Sequence, residues 1–132
     1  MKAKNPGAAM VAKYIRNLGH GDSLYLVRMD QGNRIIGHTP LTGTSILANE
    51  RAMVEASQGA ASVIVVRFNS NGEHAISPVD EQQTGDFEFY VAVRNDIRVL
   101  DLVIVSARGH KSLLSTGRFA RTYRNGAEPG GC

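Results

Sequence analysis

The chain has 132 residues, 42% of them hydrophobic and 20% charged, which fits one globular domain with a buried core. No apolar run approaches the roughly 18 to 20 residues of a membrane span, and the N-terminus lacks the apolar core of a signal peptide. Because the one cysteine, Cys132, cannot form an internal disulfide and the net charge is a modest +3, we expect a cytoplasmic protein that does not bind membranes.

An amphipathic helix is predicted at the start of the chain. Asn5-Pro6 combines an N-cap residue with proline at the first helical position, and Gly19 is a typical helix end. The apolar residues between them repeat at helical spacing and form one stripe: Val11, Tyr14, Ile15 and Leu18.

A β-hairpin and a second helix are predicted next. Residues 24–29 alternate as a strand, residues 31–33 (Gln-Gly-Asn) have turn chemistry, and residues 34–41 are again extended. The helix that follows begins at residue 44 or 45, both hydroxyl residues, and runs to Ser57.

Buried strands and one long helix are predicted in the rest of the chain. The β-branched run within residues 61–68 is typical of a central strand that is covered on both faces. A polar loop then leads to a helix that starts at Ser77-Pro78 and runs to about Asn95. Two further strands are predicted at residues 97–106 and 110–114.

The resulting element order is α-β-β-α-β-α-β-β. Helices interleaved with strands and one hairpin predict an α/β fold with a mixed β-sheet flanked by helices. We assign the domain to residues 1–120 and expect residues 121–132, which are rich in glycine and polar groups, to be a flexible C-terminal tail.

The best candidates for functional residues lie where the central strand ends and the long helix begins. Functional groups of α/β folds gather at strand ends and in the loops that follow them. Here Arg67-x-Asn69 is followed by seven residues and then by Ser77-x-x-Asp80. This spacing resembles the JAB/JAMM metal motif, which reads His-x-His, seven residues, Ser-x-x-Asp.

The similarity to the RadC-like branch of the JAB/MPN family extends over roughly residues 5–118. Gly72 lies where RadC-like members have the glycine of a His-Asn-His-Pro-Ser-Gly stretch. The other matching features keep the order and spacing of the family, and they are the hairpin, Gly43-Thr44, Thr84, residues 100–105 and residues 111–113. The resemblance implies a single JAB/MPN-like (cytidine-deaminase-like) domain, in a family whose members bind zinc through the two histidines and the aspartate.

The ligands and the base that the resemblance implies are replaced in this chain. Arg67 only donates hydrogen bonds and carries a permanent positive charge, and the Asn69 carbonyl oxygen is a weak ligand for zinc. The position of the family's catalytic glutamate reads His38 or Thr39, so no general base of that type is present. We therefore expect no bound zinc and no catalytic residue.

Two interpretations of the former metal site remain open. In the first, Arg67 pairs with Asp80, the guanidinium replaces the charge of the ion, and Ser77 serves only as a helix cap. In the second, a relocated metal site forms from His38, His74 and Asp80. Arg67 would oppose an ion there electrostatically, and a lone histidine is more often a surface or loop residue than a ligand.

Three functions follow from these features. The first is a non-catalytic RadC-like JAB domain that acts as a binding or scaffold module through a protein partner or self-association, in the mobile-element or DNA-repair context that the family suggests. The second is nucleic-acid binding through a basic region that contains no Asp or Glu, although such a region can also be an ordinary solvated surface. Its residues are Arg108, Lys111, Arg118, Arg121 and Arg124. The third is a metal-dependent, peptidase-like hydrolase with a rewired site.

Overall fold

A five-stranded mixed sheet lies at the centre of the molecule. The computed structural model describes residues 7–18 and 21–117. The helices are α1 (Ala8–Arg16), α2 (Glu50–Ala56) and α3 (Pro78–Asn95), and the strands are β1 (Ser23–Met29), β2 (Ile35–Leu41), β3 (Ser62–Phe68), β4 (Arg98–Val105) and β5 (His110–Ser112). The predicted order and the α/β class are confirmed. The predicted helix start at Asn5-Pro6, its end at Gly19 and the tail at 121–132 lie outside the described residues.

The sheet has the strand order β2-β1-β3-β4-β5. Strands β3 and β4 are parallel, and the other neighbouring pairs are antiparallel. Parallel strands need a long crossover, which α3 supplies between β3 and β4. The carboxyl ends of this parallel pair meet at one end of the sheet, where the Asn69 N–H donates to the Val105 carbonyl oxygen over 2.8 Å.

Both faces of the sheet are covered by helices. Leu24 and Leu26 of β1 pack into a core that includes Met53 of α2 and Phe87 of α3. The side chains that alternate with them, such as Val27, pack into a second core with α1. The alternation in β1 therefore separates two buried faces, and not a buried face from a solvated one. Among the described helices, none is both long and apolar enough to cross a membrane.

Two element boundaries differ from the predictions for local reasons. A short 3-10 helix (Leu47–Asn49) comes before α2, so the α-helix begins at Glu50 and not at residue 44 or 45. The Asn49 amide donates to the carbonyl oxygens of Thr42 and Ser45, at 2.8 Å each, which holds this entry as a compact polar turn.

The last strand is also shorter than predicted, because a buried carboxylate holds the residues that follow it. Asp101 of β4 is fully buried and accepts a hydrogen bond from the Ser112 hydroxyl. It also accepts the backbone N–H of Leu114 at 2.8 Å. This draws the chain into a second 3-10 helix (Leu114–Thr116), so β5 ends at Ser112.

Candidate functional site

Arg67 and Asp80 form a two-pronged ion pair between β3 and α3. Arg67 lies opposite Leu24 of β1 and therefore faces the core that α3 covers. Its two terminal nitrogens donate to the two carboxylate oxygens of Asp80, Nη1 to Oδ1 at 2.9 Å and Nη2 to Oδ2 at 2.8 Å. The side chains are only 16% and 10% exposed. The predicted pairing of Arg67 with Asp80 is confirmed.

The first turn of α3 fixes the position of the Asp80 carboxylate. The Ser77 hydroxyl accepts the backbone N–H of Asp80 at 3.0 Å, and Asp80 Oδ2 accepts the backbone N–H of Ser77 at 3.1 Å. Together these bonds form a capping box, with Pro78 in the first turn. The predicted helix start and the capping role of Ser77 are confirmed, and Asp80 is held by three donors at once.

The charge state of Asp80 follows from these contacts. Burial raises the pKa of Asp80, but the hydrogen bonds from Arg67, the backbone N–H of Ser77 and the Arg67 charge outweigh burial and lower the pKa below its ordinary value. Asp80 is therefore an anion at neutral pH. Its charge is matched by the guanidinium, which stays protonated.

A second carboxylate, Asp22, lies near the pair and was missed by the sequence analysis. The backbone N–H and the hydroxyl of Ser70 donate to Asp22 Oδ1 at 2.7 and 2.8 Å. These two bonds lower the pKa of Asp22, and the Arg67 charge contributes further. No local pattern marks Asp22, because it contacts Ser70 across 48 positions of the chain.

The loop from residue 69 to residue 76 is fixed by its own hydrogen bonds and by the turn after β4. The Asn69 amide donates to the Glu73 carbonyl oxygen at 2.9 Å. His74 Nδ1 lies 3.0 Å from the Ser106 hydroxyl oxygen, and the His74 ring packs over Gly109. Gly72 has a φ of +86°, a conformation that favours glycine, and the Arg108 side chain lies against it.

The residues of the possible relocated metal site are not brought together. His38 is opposite Val27 on the α1 face of the sheet, where its Nδ1 is 2.8 Å from the Tyr14 hydroxyl. Asp80 is on the α3 face, and His74 is bonded to Ser106. Within residues 7–18 and 21–117, no group of three or more His, Cys, Asp or Glu side chains could hold a metal ion.

The side chains around Asp80 do not fit the zinc ion that the resemblance implies. A catalytic zinc takes three protein ligands from neutral imidazoles, thiolates or carboxylates and leaves one position for water. Here the nearest groups to the Asp80 carboxylate are donors from Arg67 and Ser77, and the Asn69 amide bonds to the loop. The one carboxylate of the set already accepts three hydrogen bonds, two of them from the Arg67 guanidinium.

The predicted basic region is described only in part. Arg108 and Lys111 are exposed, whereas Arg118, Arg121 and Arg124 lie outside the described residues. Arg16 of α1 is an unpredicted neighbour, because its Nε donates to the Ser106 carbonyl oxygen at 2.9 Å. This long-range contact holds Arg16 against the turn after β4, in which the Arg108 backbone N–H donates to the Ser106 hydroxyl. Nucleic-acid binding by this region stays a prediction.

Comparison with protein-family models identifies a family for this chain. The family model described as "RadC-like JAB domain" matches residues 3–118 of the chain. That range includes every described helix and strand. No curated protein matches the chain.

We expect Arg67 and Asp80 to be strongly coupled in stability. Replacing one partner leaves a largely buried charge unpaired, so Arg67→Met and Asp80→Asn should each lower the free energy of unfolding by roughly 2 to 4 kcal/mol. The double variant should lose clearly less than the sum of the two, as measured by urea unfolding. Arg34→Met is the matched control, because Arg34 pairs with Asp30 while 80% exposed and should lose no more than about 1 kcal/mol. Additive losses in the double variant would show that the two side chains do not interact.

We also expect the contribution of Asp80 to depend on pH. A carboxylate whose pKa is lower in the folded chain stabilises the fold above its unfolded pKa of about 4, and this stabilisation is lost as the pH falls through the folded pKa. The difference in unfolding free energy between the wild type and Asp80→Asn should therefore be constant above about pH 5 and shrink below about pH 4. Asp22 and Asp30, whose pKa values are also lowered, are present in both proteins and cancel. A difference that does not change on acidification would contradict this expectation.

Proposed function

Because the chain belongs to the RadC-like JAB domain family, we propose that it is a non-catalytic member of that family that works by binding other proteins. The observation that carries this proposal is the two-pronged pair between Arg67 and Asp80. The guanidinium supplies positive charge and directed donors to the carboxylate that would otherwise be the strongest metal ligand of the motif. A metal ion that approaches Asp80 would meet a guanidinium cation already bonded to both carboxylate oxygens, and the two positive charges would repel each other.

The lack of a suitable base supports the same proposal. Of the two positions that match the family's glutamate, Thr39 lies opposite Leu26 and so faces the same side of the sheet as Arg67. A threonine hydroxyl is not a base at neutral pH, in contrast to a carboxylate. The other position, His38, faces the opposite side, where it is bonded to Tyr14. Neither residue could activate a water molecule beside Asp80.

Without this chemistry, the domain keeps an end of the sheet that is held together by side-chain hydrogen bonds. Arg67, Asp80 and Ser77 join β3 to α3, and His74 joins the following loop to Ser106. We propose that this framework has a cytoplasmic binding role, with a protein partner or a second copy of the chain as its counterpart. The mobile-element or DNA-repair context that the family suggests belongs to the same proposal.

The loss of metal binding is tested by restoring the ligands. Residues 67 and 69 are two positions apart in an extended stretch of the chain, so their side chains lie on the same side. Arg67→His/Asn69→His should therefore give two imidazoles that can reach one ion together with Asp80. We expect the double variant to bind zinc stoichiometrically and the wild type to bind none, as measured by metal analysis after dialysis. Adding Asp80→Asn should abolish the gain, and Arg67→His/Asn71→His is the control with a misplaced histidine. Zinc-dependent peptide hydrolysis by the wild type would overturn the proposal.

The binding role is tested with the tagged full chain in the cells that make it. We expect a reproducible protein partner by chemical cross-linking and mass spectrometry, in amounts that a metal chelator does not change, or self-association by sedimentation velocity. A chain that stays monomeric and enriches no protein would contradict the proposal. DNA binding that weakens steeply with salt and is lost in Arg108→Glu/Lys111→Glu, but kept in the exposed control Arg51→Glu/Arg98→Glu, would favour the nucleic-acid hypothesis instead.

A further inference from the structure

A groove between α1 and β2 lies on the face of the sheet opposite to Asp80. Its volume is about 540 Å³, which is within the roughly 300 to 1,000 Å³ typical of ligand sites. It is lined by three residues of α1, the residue that caps the end of α1, and three residues of β2, namely Met10, Lys13, Tyr14, Asn17, Ile35, Ile36 and Gly37. None of these residues takes part in the contacts of Arg67 and Asp80.

The groove presents large apolar side chains to solvent from both of its walls. Met10 on α1 is 44% exposed, and Ile36 on β2 is 51% exposed. Ile36 is exposed because of a bulge, since Gly37 pairs with Arg28 and Ile35 with Met29, which leaves Ile36 without a partner on β1. A bulge re-aims the side chain of its extra residue. The two walls therefore offer a place for one more apolar side chain.

The charge of the groove selects an acidic ligand. Lys13 is exposed, and it is the one charged side chain among the described residues that line the groove. Neither ion pair found within residues 7–18 and 21–117 involves Lys13. A carboxylate in the groove would gain the ammonium group as its partner, whereas a cation would be repelled.

The geometry of β2 favours a short ligand. Strand β2 is at the edge of the sheet, so its outer backbone groups have no neighbouring strand among the described residues. The bulge at Ile36 and the proline at position 40 leave only residues 37–39 as regular, unobstructed edge. Bulges and prolines hinder strand pairing, so a long strand from a partner could not pair along the whole of β2.

Charge also argues against the chain's own C-terminal residues as the occupant. Residues 118–132 contain Arg118, Arg121 and Arg124 but only one acidic residue, Glu128. This net positive charge would face Lys13. An acidic segment from another protein suits the groove better.

We propose that the groove binds a short acidic segment of a partner protein, with a large apolar side chain seated between Met10 and Ile36 and a carboxylate paired with Lys13. This inference rests on the proposed function as a protein-binding module and names the surface that such a module uses. The Tyr14 ring supports the floor of the groove from α1, because its hydroxyl is anchored to His38 on β2. That bond links the two walls of the groove, which reduces the ordering that a ligand would have to impose.

The test uses a random peptide library displayed on phage and selected on the full chain, followed by fluorescence anisotropy with the selected peptides. We expect these peptides to share a large apolar residue next to Asp or Glu. Lys13→Glu and Ile36→Asp should each weaken their binding about tenfold or more. Exchanging the acidic residue of the peptide for Lys should restore binding to Lys13→Glu, which a merely unfolded variant could not do.

Two exposed positions outside the groove provide matched controls. Arg51→Glu repeats the charge reversal on α2, and Leu47→Asp repeats the change from apolar to acidic at a residue that is 60% exposed. Both controls should keep the wild-type affinity, and all four variants should keep the wild-type unfolding midpoint.

Three results would overturn the groove proposal. The first is a selection that yields no binding peptide, and the second is a set of peptides whose affinity is unchanged by Lys13→Glu and Ile36→Asp. The third is a wild-type dimer that Ile36→Asp converts to monomer, because a second copy of the chain would then be the occupant of the groove. The protein-binding role can be judged separately. If the cellular partner still binds both groove variants, the proposed function stands and only this surface is wrong. If no partner or self-association is found at all, the proposed function itself fails.

Discussion

The pair between Arg67 and Asp80 is the interaction on which the rest of the site depends. It joins the end of the central strand to the first turn of the long helix, at the point where the parallel strands β3 and β4 present their carboxyl ends. Because Asp80 also completes the capping box with Ser77, one carboxylate orients the helix and neutralises the guanidinium. Partly buried charges are stable only when they are paired and bonded in this way.

The separation of the two sheet faces gives the molecule two distinct regions. On the α3 face, Arg67, Ser77 and Asp80 hydrogen-bond to one another, and Asn69 bonds to the loop after β3. On the α1 face, apolar groups of Met10 and Ile36 are exposed beside β2, whose outer edge has no neighbouring strand among the described residues. A domain of this kind can lose chemistry on one face without a change in the surface that the other face offers. Membership of the family does not by itself decide the function, because one fold can carry different functional sites.

Features with a local signal could be predicted from the sequence. The adjacent residues Ser77 and Pro78 mark the start of α3, because they are an N-cap residue and a first-turn proline. The β-branched run in β3 is typical of a strand that is covered on both faces. The pairing of Arg67 with Asp80 could be anticipated because their spacing resembles a known motif and their charges are opposite.

Features that depend on individual side-chain contacts could not be predicted in this way. The Asn49 amide moves the start of α2, and the buried Asp101 carboxylate ends β5, yet neither residue belongs to a recognisable pattern. Asp22 and Arg16 reach their partners only after the chain has folded. The bulge at Ile36 depends on the register between β1 and β2, which a single sequence does not specify.

The most direct measurement of the central claim is X-ray diffraction from crystals grown with zinc, with anomalous data collected at the zinc absorption edge. The claim is that the Arg67 guanidinium occupies the place of a metal ion beside Asp80. We expect electron density for the two parallel hydrogen bonds between these side chains and no anomalous peak next to the Asp80 carboxylate. An anomalous peak coordinated by Asp80, with Arg67 turned away from it, would contradict the claim.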